Sequence, residues 1–83
     1  MKITVRYFAS IREAVGQGSE LVETSAMTVG ALRDELMQRS SAYADSLARQ
    51  RSVRAAVNQV MCDESALLTE ACEVAFFPPV TGG

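Results

Sequence analysis

The sequence predicts an α+β fold, a mixed sheet of four or five strands packed on one main helix. Three observations predict it. Stretches near both ends alternate apolar and polar residues with the two-residue period of a half-buried strand, as in KITVRYF at 2–8. A central stretch, 28–39, repeats its apolar residues with the period of a helix. Strands precede and follow this helix in runs, the order of a segregated α+β domain rather than of alternating βαβ units.

The first strand puts Ile3, Val5 and Tyr7 on one face and Lys2, Thr4 and Arg6 on the other. Phe8 has the parity of the polar face, so it is expected to point away from the core. Ser10 and Glu13 stand in the S-x-x-E arrangement of a capping box, read as the start of a short helical turn closed by Gly16. Gly18 helps the chain reverse into a second strand, 20–23. Thr28 is the expected N-cap of the main helix, which runs to about Arg39 with Val29, Leu32 and Leu36 buried and Met37 beside them. A first-turn Gly30 is tolerable there because helix ends are less demanding than interiors. Residues 41–47 add a short helix with Tyr43 and Leu47 inward, and Arg49, Gln50 and Arg51 follow as a solvated loop.

Residues 54–61 read as two short strands about an Asn58-Gln59 turn. A loop with Leu67 and Leu68 leads to a last strand, 73–77. There Val74 and Phe76 share one face, Ala75 and Phe77 the other. Pro78 cannot donate to a ladder, so the strand stops before it. A chain of this order buries its ends most easily with the first and last strands side by side, parallel, at the sheet centre. That is a β-grasp, ubiquitin-like layout: one domain over 1–83, with 78–83 as an extended, flexible C-terminal tail.

Composition narrows the function. A chain of 83 residues buries about 60–65% of its unfolded surface, enough to fold alone without much to spare. Hydrophobic residues make up 48% and charged residues 22%, with a formal charge of −2, so the chain reads as globular and has no basic field for nucleic acid. No apolar run approaches a membrane span, and the opening residues lack a secretion-signal core; a cytoplasmic location is expected. Cys62 and Cys72 have neither metal-site spacing nor the number for a disulfide framework, and are read as small buried hydrophobes in a reducing compartment. Histidine is absent, which removes His-containing triads, imidazole metal ligands and the commonest general base. No metal and no self-sufficient enzyme activity are expected.

Two features remain. Phe8 and Phe77 fall on the face opposite the core, and Met61 ends the hairpin that borders them. Leaving large apolar side chains in water costs about 1.5–3 kcal/mol each relative to burial, so a contiguous patch of them reads as a partner surface, the alternative being that parity slips by one at a bulge and these residues fill the core. The chain then finishes Pro78-Pro79-Val80-Thr81-Gly82-Gly83. The prolines stiffen the exit, and a Gly-Gly end, without Cβ atoms, can thread a channel too narrow for other residues. The result is a carboxylate held at the tip of a slender arm.

Four blocks, VRYFASIRE at 5–13, TVGALR at 28–33, AAVNQ at 55–59 and EVAFFPPVTGG at 73–83, carry a resemblance that spans the chain. The sequence resembles the small-subunit family of molybdopterin synthase, ubiquitin-like sulfur-carrier proteins. The resemblance implies that an adenylyltransferase of the ubiquitin-activating type, using ATP and Mg, adenylates Gly83. A sulfur-donor enzyme then converts it to a thiocarboxylate, 1-thioglycine at Gly83, while Gly82 keeps the arm thin. It implies further that the arm enters the large subunit, in an expected heterotetramer, and gives its sulfur to cyclic pyranopterin monophosphate to build the molybdopterin dithiolene. Phe8, Met61 and Phe77, with Pro78, Pro79, Val80 and Thr81, match the family's partner-contact positions. The catalytic acid–base groups would belong to the large subunit, and no cofactor is held permanently.

One departure stands out. Where the family commonly has a D-G-D turn before the last strand, this chain has Glu70-Ala71-Cys72, so a left-handed residue there would strain Ala71 by about 1 kcal/mol. The alternatives are a carrier for thiamin or a tungsten cofactor, a protein modifier joined through Gly83, and a non-covalent binding module. Lys2 is the only lysine, which leaves one acceptor for lysine-linked chains of this protein itself.

Overall fold

The computed structural model describes residues 1–79. The elements are β1 (Lys2–Tyr7), α1 (Ala9–Val15), β2 (Ser19–Glu23), α2 (Val29–Met37), α3 (Ser41–Ser46), a 3-10 turn (Arg49–Arg51), β3 (Arg54–Val57), β4 (Val60–Cys62) and β5 (Glu73–Phe77). The strands form one sheet in the order β2-β1-β5-β3-β4. β1 and β5 are parallel neighbours at its centre, and the other pairs are antiparallel. This is the β-grasp fold, with the central pairing that the chain order implied.

Alternation determines which face is covered. Ile3, Val5 and Tyr7 of β1, Val22 of β2 and Val74 and Phe76 of β5 are buried with Ile11 of α1, Val29, Leu32 and Leu36 of α2, and Leu47. Each such side chain contributes about 1.5–3 kcal/mol by leaving water. Thr28 caps α2 as expected, its hydroxyl accepting from the Ala31 amide at 3.1 Å. Helix α2 stops at Met37, because the Gln38 and Arg39 amides turn to the Glu35 and Leu36 carbonyls in a tighter final turn.

Three expectations are corrected. Ser10 is not a cap: α1 begins at Ala9 with Phe8 at the N-cap position and no side-chain cap. Phe8 donates its amide to Phe76 O at 3.2 Å, extending the β1–β5 ladder, and its carbonyl accepts from Ile11 N at 3.1 Å. Between them Ala9 makes the corner at φ 52, so the helix starts before Ser10 is reached. Gly30 is not merely tolerated: a Cβ there would lie 2.9 Å from Glu64 Oε1 and 3.1 Å from Glu64 Cβ. Nor is Arg49 simply solvated, for it pairs with Asp34 and with Glu64.

Glu64 also receives the guanidinium of the buried Arg33 at 3.0 Å. Arg33 further donates to the Leu47 carbonyl at 2.7 Å and the Ala48 carbonyl at 3.0 Å. One side chain thereby holds α2, the end of α3 and the loop after β4 together. Cys72 is buried, while Cys62 is half-buried against the core; both are free thiols. Ala71 does adopt the left-handed conformation, at φ 65.

Candidate functional site

The uncovered face of the sheet is built from the residues that alternation turns away from α2. Register places Met61 of β4 opposite Ala56 of β3, Ala56 opposite Ala75 of β5, and Ala75 opposite Arg6 of β1. Phe77 follows two residues after Ala75, opposite Arg54. Small side chains on the central strands make a floor, and larger ones at the strand ends make walls. The outcome is an open groove of about 490 Å³ lined by Phe8, Ala9, Ala56, Gln59, Met61, Ala75, Phe77 and Pro78.

The structure brings together Phe8, Met61, Phe77 and Pro78 of the expected contact residues. Phe8 is 39% and Met61 55% exposed, consistent with outward parity. The Phe8 and Phe77 rings meet edge to face with centroids 6.5 Å apart. Arg6 lies over the Phe8 ring at 5.3 Å and reaches Glu73 at 3.3 Å, so a paired cation packs against one ring of the aromatic wall. Pro79 is half-buried and does not line the groove. Val80, Thr81, Gly82 and Gly83 lie outside the described residues.

Sequence reasoning missed Gln59, Ala9, Ala56 and Ala75 as lining residues. The parity of Ala75 with Phe77 was visible, but a small residue becomes a floor only once its neighbours are known. None of the lining side chains is titratable, so the groove offers shape and apolar surface rather than acid–base chemistry. The shifted groups lie elsewhere. Burial pushes the Cys62 thiol up, and neighbouring Asp63 adds to it, both disfavouring the thiolate. Burial and a 2.7 Å hydrogen bond to Glu20 push the Tyr7 hydroxyl far above its usual range, leaving it a permanent donor inside the fold. Among the described residues, no group of His, Cys, Asp or Glu side chains could hold a metal ion, and no helix is long and apolar enough to cross a membrane.

The groove therefore offers apolar surface beside the end of β5. The model of the ThiS family matches residues 5–83. The chain belongs to the ThiS family. Within that family it is 43% identical over 81 residues to the molybdopterin synthase sulfur carrier subunit of Escherichia coli K12, covering 98% of this chain and 99% of that protein. It is 36% identical over 85 residues to the protein of that same name from Mycobacterium tuberculosis, covering 100% of this chain and 99% of that protein. Among solved structures, the Haloferax volcanii HVO 2177 protein superposes with a TM-score of 0.78 at 30% identity, over 100% of this chain and 87% of that one. The span matched by the ThiS family model, 5–83, takes in the groove residues and the glycine pair.

Proposed function

We propose that this chain carries sulfur as the small subunit of molybdopterin synthase. The observation that supports the reading most is the likeness to sulfur carrier subunits over 98% of the chain, with a family-model match whose span reaches Gly83, combined with an apolar groove where β5 leaves the sheet. In this reading the Gly83 carboxylate attacks the α-phosphate of ATP in an activating adenylyltransferase, forming an acyl adenylate and releasing pyrophosphate. The terminal sulfur of a donor enzyme's persulfide attacks the acyl carbon and AMP leaves. A second thiol then cleaves the acyl disulfide, forming a disulfide with the donor and freeing a thiocarboxylate that is ionised at neutral pH and strongly nucleophilic.

The groove docks the large subunit while Gly82 and Gly83 reach into it. There the thiocarboxylate sulfur attacks a carbon of cyclic pyranopterin monophosphate, the oxygen substituent on that carbon leaves, and water cleaves the acyl–sulfur bond to return the Gly83 carboxylate and leave the sulfur on the pterin. Two such transfers furnish the two sulfurs of the dithiolene. Tethering the sulfur to a protein arm gives it a high effective concentration at one site. Phe8, Met61, Phe77 and Pro78 would supply the contact area; Pro79, Val80 and Thr81 would lead the arm away.

Intact mass spectrometry after incubation with ATP, activating enzyme and sulfur donor tests this reading. The expected result is one oxygen replaced by sulfur, lost again on adding large subunit and pterin. Deleting Gly83 should abolish the exchange while leaving the thermal transition in place. An unchanged mass, or transfer by the truncated chain, would overturn the proposal.

A further inference from the structure

Among the described residues, five non-glycine residues have positive φ: Ala9, Ser52, Asn58, Gln59 and Ala71. Asn58 and Gln59, at φ 50 and φ 70, form the two-residue turn that joins β3 to β4. Both values being positive makes it a type I′ turn, for which Asn-Gly is the favoured pair because the second position suits glycine. Asn58 is accounted for by the fold: its side-chain oxygen accepts from the Glu73 amide at 2.9 Å, and its own amide donates to the Glu73 carbonyl at 2.8 Å. Gln59 is not. It is exposed, and among the described residues no hydrogen bond engages its side-chain amide.

Its position supplies the reason. Gln59 lines the groove, and every other lining side chain is apolar. A left-handed glutamine costs about 1–2 kcal/mol over an unstrained residue, so the hairpin alone would be better served by glycine. Backbone strain retained beside a binding surface points to a role for the side chain there. A carboxamide has a donor and an acceptor in one plane, as a peptide group does, and the two can pair through two hydrogen bonds.

From this we infer that Gln59 is a specificity-determining contact, pairing its carboxamide with a main-chain peptide group of the large subunit docked in the groove. The inference rests on the docking role proposed above and goes beyond it by assigning register to one polar group. Apolar contact alone tolerates sliding along the floor of Ala56 and Ala75; one paired amide at the rim fixes where the partner sits.

Two substitutions separate the strain from the contact. Gln59→Gly relieves the backbone and should raise the thermal transition, yet weaken binding to the large subunit about five- to tenfold in isothermal titration. Gln59→Met keeps the backbone and the length of the side chain but removes the amide; it should weaken binding by a similar factor without the gain in stability. In sulfur transfer both should raise the carrier concentration needed for half-maximal rate and leave the maximal rate unchanged. Wild-type affinity in both variants would overturn the role of Gln59. Phe77→Asp serves as the control: if it too binds like wild type, the docking face is wrong, and the inference falls with it.

Discussion

At the scale of single residues, the backbone of Ala71 gives a direct stability test. Its amide donates to the Lys2 carbonyl at 3.0 Å, and the next amide, of Cys72, donates to the Thr69 carbonyl at 3.1 Å, so φ 65 is held from both sides. Ala71→Gly should stabilise the fold by roughly 0.5–1 kcal/mol, the relief of left-handed strain less the added freedom of the unfolded chain. Urea denaturation measures it, and a loss of stability would contradict the strain. The strain could be anticipated, because a glycine is missing where the family's turn has one. Phe8 and Phe77 were legible for a similar reason: parity along a strand is a local property. Gly30 and Arg33 were not. Their constraint comes from Glu64, more than thirty residues further along, and no local pattern announces such a partner.

At the scale of elements, a polar cluster joins β1, β2, α2's end and α3. Glu20 accepts from Tyr7 at 2.7 Å, Tyr43 at 3.1 Å and Arg39 at 2.7 Å. Burial alone would raise this carboxyl, but the hydrogen bonds from Arg39, Tyr7 and Tyr43 outweigh it and hold the group below its usual range. A carboxyl lowered by folding stabilises the protein above its unfolded value, about 4.3, and loses that contribution as pH falls through the folded value. Glu20→Gln should therefore be less stable at neutral pH by roughly 1.5–3 kcal/mol and show a shallower decline below about pH 5. Urea titrations of both proteins across that range decide it; parallel curves would rule out the cluster as a source of acid sensitivity. The slope that remains belongs in part to Glu64, which hydrogen bonds from Arg49 hold low. Strand and helix positions were legible in the sequence because period and turn residues are local, whereas the start of α1 was misplaced by a capping signal that the corner at Ala9 pre-empts.

At the scale of the whole molecule, sheet order follows from where the apolar faces can be hidden, and the chain order already implied that β1 and β5 would meet. The groove itself was only half legible: its walls came from parity, its floor and Gln59 only from register across four strands. Phe77→Asp should abolish large-subunit binding in titration while the thermal transition moves by a few degrees at most, because Phe77 faces away from the core that Phe76 anchors. Global unfolding of this variant would mean that the two faces of β5 are not separable. The parallel pairing of Thr4 with Glu73 joins residues from opposite ends of the described chain. Such a contact closes a loop of nearly the whole described chain and carries the entropic cost of that closure. Phe8 follows β1 and Phe77 ends β5, so neither strand alone presents the aromatic wall. A half-folded chain lacks this wall, so docking in the proposed mode would itself act as an inspection step that passes only finished molecules.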